Sequence, residues 1–175
     1  MSKAPITRFI EPRKLADRQV VLEGSVQLSD MKRLASALVD DQGAISARFE
    51  FDRDEQGTIV FQSLLSADVN MVCQRCLETV ELPVQSECTY AAVRAGASTQ
   101  HIPSSYDVLE VGEDPLDLLA LVEDELLLAL PIVPLHDLEV CQPPAGSDQA
   151  EPVDETDKRS NPFSVLAQLK RDPNV

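Results

Sequence analysis

Tryptophan is absent from the sequence, and the aromatic residues together make up 4% of its 175 positions. A core must therefore be built mainly from Leu, Val, Ile and Ala, within a hydrophobic content of 43%. The same scarcity leaves little to stack against nucleic-acid bases. The candidates are Phe49, Phe51 and Phe61, and each alternates with polar neighbours as core residues do. No apolar run reaches the roughly 18 residues that a membrane span needs. The opening MSKAPITRFIEPRKLADR carries basic residues but no apolar centre, so no secretory signal is read there and a cytoplasmic address is expected. No Gly-rich phosphate loop, nucleophile elbow, Ser/His/Asp set or histidine cluster is present. The chain reads as a binding module, long enough for one domain with a real core.

Positive charge is missing from a long stretch. Residues 107–157 hold fifteen Asp and Glu and no Lys or Arg, so this stretch alone accounts for the formal net charge of −15. Residues 1–33, in contrast, hold seven Lys and Arg against four acids. Proteins that grip phosphate backbones carry basic stripes. Here the acidic half repels naked RNA and attracts basic proteins. An acidic surface also keeps a protein soluble, and charge alone does not separate the two readings.

Residues 1–18 are polar and broken by proline, an expected extended arm. A single α+β domain is expected over 19–141. It opens with a strand, QVVLEGSVQL, followed by a short amphipathic helix MKRLASALVD capped by Ser29 or Asp30. AISARFEFD alternates as a half-buried strand, and TIVFQSLLSADVNMV continues as a long one, with a bulge expected near Leu64 and Leu65. A further strand runs from Val80 to Arg94, giving an antiparallel β meander. Asp114 and Pro115 carry the signals of an N-cap and first helical position for LDLLALVEDELLLAL, which Pro131 stops. Its apolar positions cover most of the circumference, so a long buried helix packed on two sides is expected. Residues 142–160 read as a disordered acidic linker. Residues 161–171, NPFSVLAQLKR, read as a short C-terminal helix with Phe163, Leu166 and Leu169 on its apolar face. That face either folds back on the domain or docks on a partner, and folding back is the preferred reading.

The pair Cys73 and Cys76 has three readings: a zinc-holding knuckle, a redox couple or a plain hairpin turn. A thioredoxin-type pair sits at the start of a helix whose dipole lowers the thiol pKa. Period-two alternation and Pro83 follow Cys76 instead, so the redox reading loses its device. A structural zinc needs four ligands. The second pair in reach is His136 and Cys141, with four residues between them in PLHDLEVC. Four cysteines in an unexported chain read as thiols or metal ligands rather than disulfides, and Cys88 inside a strand reads as a small hydrophobe. Glu123, Asp124 and Glu125 occupy consecutive helical positions that fan over about 200°, so they cannot converge on one ion. With Asp137 and Glu139 they are read as a partner-docking acidic surface.

Several blocks together resemble one family. CQRCLE (Cys73 to Glu78), LVEDELLLALPIVPLHD (Leu121 to Asp137), the following Cys141 and the closing NPFSVLAQLKR look like the YceD family, named for large ribosomal RNA subunit accumulation, in its proteobacterial form. The likeness spans about residue 70 to about residue 171. It implies a non-enzymatic bacterial factor for accumulation or processing of 23S rRNA. In bacteria the family's gene commonly sits beside that of a small basic large-subunit ribosomal protein. Other branches carry further cysteines after the helix in a zinc-ribbon-like pattern, where this sequence offers only His136 and Cys141. The expected partner is thus a basic large-subunit ribosomal protein or a pre-50S particle, bound through the helix and the acidic region. Lys and Arg residues of the first thirty-three positions are expected to add a weak rRNA contact. Direct RNA binding through the meander is the rival reading.

Overall fold

A computed structural model describes residues 4–141 of the chain. In chain order its elements are β1 (Phe9–Ile10), α1 (Pro12–Ala16), β2 (Val21–Gln27), α2 (Lys32–Ser36), β3 (Ala44–Arg53), β4 (Ile59–Val72) and β5 (Thr79–Arg94). β6 (Asp107–Val111), β7 (Leu116–Asp117) and α3 (Leu118–Ala129) follow. The α+β class holds, with strands outweighing helices. The expected linker at 142–160 and helix at 161–171 lie outside the described residues.

Alternation sets the main sheet. Ile45, Ala47, Phe49 and Phe51 of β3 and Phe61, Ser63, Leu65, Ala67 and Val69 of β4 all point into the core. A ladder of stacked rings crosses the strands, Phe49 to Phe51 at 6.5 Å, Phe51 to Phe61 at 5.1 Å and Phe61 to Tyr90 at 5.0 Å. Strands β2 to β5 form an antiparallel meander in sequence order. The register between β4 and β5 runs unbroken from Ile59↔Ala92 to Val72↔Thr79, so the bulge expected near Leu64 is absent. The buried hydroxyl of Ser63 is satisfied by donating to the Cys88 carbonyl at 3.4 Å.

Four expectations need correction. The sheet is not wholly antiparallel, because β6 pairs with β5 in parallel, from Tyr90↔Asp107 to Arg94↔Val111. The long helix packed on two sides is instead a twelve-residue helix with one buried stripe, Leu118, Val122 and Leu126, while Leu128 is 83% exposed. Its N-cap is Asp117 rather than Asp114, accepting from the Leu119 and Ala120 amides at 3.1 and 3.2 Å. The physical reason is competition for the preceding residues. Leu116 and Asp117 pair with Ile10 and Phe9, and Arg8 donates to Asp117 at 2.8 Å, holding the segment extended up to the cap. The helix expected over MKRLASALVD is shortened to the five residues of α2, with Met31 at its N-cap and no side-chain cap of its own.

Within the first eighteen residues, expected as an extended arm, lie β1 and α1, with Ile10, Pro12 and Ala16 buried. Upstream, the chain crosses Gly24, where an added Cβ would meet the Ala4 carbonyl at 2.6 Å, and the Ser25 amide donates to that carbonyl at 3.0 Å. No helix among the described residues is long and apolar enough to cross a membrane.

Candidate metal centre

β4 and β5 stay paired to their ends, which leaves residues 73–78 to close the hairpin. The Cys73 amide donates to the Glu78 carbonyl and the Leu77 amide to the Cys73 carbonyl, both at 2.9 Å. Leu77 takes a φ of 64°, a left-handed conformation that tightens the turn. The turn thus presents both sulfurs on one side, and no helix starts there to supply the dipole of a redox pair.

The second pair arrives from beyond α3. Leu130 caps the helix in an extended conformation, and Pro131 prevents its continuation. The returning loop is tied to the turn by the Gln74 amide, which donates to the Pro134 carbonyl at 2.9 Å. The Cys141 amide then donates to the Asp137 carbonyl at 3.0 Å, curling the loop back on itself. As a result Cys73 Sγ lies 3.9 Å from Cys141 Sγ, and Cys76 Sγ lies 3.2 Å from His136 Nδ1. All four ligand atoms fall within 4.8 Å of one another.

The donor set suits zinc. Tetrahedral Zn–S and Zn–N bonds of about 2.3 and 2.0 Å place neighbouring ligand atoms roughly 3.5–3.8 Å apart, close to the two separations above. His136 Nε2 lies 3.0 Å from the Thr79 carbonyl, which can only accept. Nε2 therefore carries the proton, and Nδ1 turns its lone pair towards Cys76, as a ligating imidazole requires. Burial opposes charge on Cys73, yet the amides of Cys76, His136 and Arg75 converge on its sulfur and bring the thiol down to about 5. Burial and the neighbouring Cys76 and Cys73 push Cys141 up. Of the two shifted thiols, Cys73 is the one whose surroundings favour the thiolate. Cys73, Cys76 and Cys141 share a small apolar cluster with Val80, flanked by Met71 and Leu82. A metal held by Cys73, Cys76, His136 and Cys141 would cross-link hairpin and loop, with no open position left for a substrate.

The acidic triplet is splayed, as its spacing requires. Glu123 accepts from the Arg33 and Leu34 amides at 2.6 and 3.3 Å and from the Arg33 guanidinium at 2.8 Å. Asp124 pairs with the same guanidinium at 2.7 Å. Glu125 faces the other way, accepting from Ser86 at 2.7 Å and from the Tyr90 hydroxyl. Asp137 and Glu139 are exposed and make no ion pair among the described residues. Phe163, Leu166 and Leu169 lie outside the described residues. Cys88 is half-buried and donates to Asp107 at 2.9 Å, and burial with that carboxylate pushes its thiol up to about 12. Two features escaped sequence reasoning. Arg33 is the counterion of the triplet, and the loop after α3 exposes aliphatic side chains that belong to no periodic element. The run PIVPLHDLEV, apolar but broken by two prolines, was the signal for the second.

The family model described as large ribosomal RNA subunit accumulation protein YceD matches residues 62–170. A large ribosomal RNA subunit accumulation protein YceD from Haemophilus influenzae is 34% identical over 174 residues, covering 98% of this chain and 99% of that protein. The likeness thus reaches through the N-terminal strands as well as the blocks from Cys73 onward. No solved structure matches the chain. On the family match and the near full-length identity, the chain belongs to the YceD family.

Proposed function

We propose that the chain is a non-catalytic ribosome-assembly factor. It supports accumulation of large-subunit ribosomal RNA by holding a basic large-subunit ribosomal protein, free or within a pre-50S particle, on its acidic region. The observation that carries this reading is the run of fifteen acids without a Lys or Arg over residues 107–157. Such a field steers a basic partner to the surface quickly and selects against nucleic acid. Membership of a family named for this RNA supports the ribosomal setting. Asp137 and Glu139 are exposed and so open to a partner, whereas Glu123 and Glu125 serve intramolecular bonds. In this reading Cys73, Cys76, His136 and Cys141 hold a structural zinc ion.

Burial of the phenylalanines weighs against the rival. Phe49, Phe51 and Phe61 are at most 2% exposed, so none is available to stack on a base. The test is affinity capture with the full chain from low-salt lysate, with and without RNase. A small basic large-subunit protein that survives RNase and is held less tightly in high salt is the expected result. Partners that all vanish with RNase would put direct RNA binding in its place.

A further inference from the structure

The segment from α3 to Cys141 exposes an unusual amount of apolar surface. Leu128 is 83% exposed, Ile132 99%, Val133 57%, Leu138 80% and Val140 71%. Scattered exposed aliphatics need no explanation, but a concentration along one short segment marks a contact surface. The segment is not a loose tail. Its backbone is bonded to the β4–β5 turn through Gln74 and Pro134, and the His136 amide donates to Cys73 Sγ at 3.4 Å. Leu77, at the tip of that turn, is itself 67% exposed. The four-ligand cluster therefore clips an apolar loop into a defined shape with its side chains facing water.

Charge says what fits there. Exposed Asp137 and Glu139 alternate with Leu138 and Val140. An apolar surface interleaved with acids, in a stretch lacking any cation, complements a segment with aliphatic or aromatic anchors flanked by Lys and Arg. We propose that Leu128, Ile132, Val133, Leu138 and Val140 form the docking surface for a basic amphipathic segment of a protein partner. This deepens the reading above and rests on it for the basic character of the partner. What it adds is that apolar anchoring on this loop, rather than acid alone, supplies most of the affinity. Salt then weakens the complex without abolishing it, since apolar burial is not screened.

The test uses the full chain and labelled 18-residue peptides in fluorescence anisotropy. One peptide places leucines on one face and lysines on the other, a second scrambles the same residues, and a third carries the same charge without leucine. The amphipathic peptide is expected to bind most tightly and to keep measurable binding in 0.5 M salt. Ile132→Ser with Leu138→Ser should weaken it at least about tenfold, while Val108→Ser, an exposed site on β6, leaves it unchanged. Equal binding of all three peptides, or no effect of the double variant, would overturn the proposal while leaving an acid-driven partner contact intact. Tighter binding after Phe163→Ser and Leu166→Ser would overturn it differently, by assigning the surface to the chain's own 161–171 segment. Circular dichroism of each variant checks that the fold is retained.

Discussion

Glu123 on α3 caps a helix to which it is not joined, accepting from the Arg33 amide at 2.6 Å with one oxygen and from the Arg33 guanidinium at 2.8 Å with the other. A helix as short as α2 cannot hold itself by internal bonds, because its first amides have no partners within it. Glu123 supplies them across 90 residues of sequence. The acidic triplet thus contributes one structural cap, one surface ion pair of Asp124 with Arg33 and one strut, Glu125, against β5.

Removing the cap should cost stability. Glu123→Ala is expected to lower the free energy of unfolding by about 1–2 kcal/mol at pH 7, the range for a lost helix cap. Urea unfolding checks this. Burial opposes the charge on Glu123, but the Arg33 side chain and the Arg33 and Leu34 amides hold its carboxyl below the ordinary value of 4.5. A depressed carboxyl contributes stability above the unfolded pKa and loses it as pH falls through the folded one. The gap between the native chain and Glu123→Gln should therefore be full above pH 5 and close as pH drops below 4.5. A gap independent of pH would mean that the charge of Glu123 contributes nothing.

The cluster should load one metal per chain. With three sulfurs as ligands, one equivalent of Co²⁺ is expected to give intense thiolate charge-transfer absorption in the near ultraviolet, displaced by Zn²⁺. Cys76→Ser should weaken metal affinity at least about tenfold. No binding by the native chain at micromolar Co²⁺ would remove the metal reading and leave an apolar knuckle.

Metal removal should loosen the loop between α3 and Cys141 before the sheet. Trypsin cannot cut within residues 107–157, which hold no Lys or Arg. Chymotrypsin can cut after Leu135 or Leu138, both exposed. After chelation, cleavage there is expected to rise about tenfold while β3 to β5 stay intact, because local opening needs only the clip to fail. An unchanged digestion pattern would show that the backbone bonds alone hold the loop.

Charge reversal separates docking from folding. Asp137→Lys with Glu139→Lys should weaken a basic partner and flatten the salt dependence, while unfolding stays within about 0.5 kcal/mol of native. Reversal at Glu125 should instead unfold the contact with Tyr90 and Ser86. If the Asp137 and Glu139 variant binds a captured partner as tightly as the native chain, the contact lies elsewhere on the acidic stretch.

The ring ladder sets the scale of the core. Phe51, between Phe49 and Phe61, is 2% exposed. Phe51→Ala is expected to cost about 3–5 kcal/mol, a large share of a typical domain's stability. Equilibrium denaturation reads it directly.

Residue order alone determined the strands of the meander, since period-two alternation in AISARFEFD and its successors admits one buried face. It also determined the knuckle at Cys73 and Cys76, because alternation on either side leaves those residues to the turn. The tertiary structure decided the rest by choosing between local signals of similar strength. Asp114-Pro115 read as the helix start, and pairing of Leu116 and Asp117 with β1, held by Arg8, moved the cap to Asp117. Ser29 and Asp30 were available to cap α2, and Glu123 took the role from another element. The parallel pairing of β6 with β5 carries no local signal, and the residue types of Cys73 and Cys141 named a ligand set but not the path that joins them across 68 residues. The meeting of Cys73 with Cys141 depends on where α3 delivers the chain, and α3 is placed by burial of Leu118, Val122 and Leu126 in the common core.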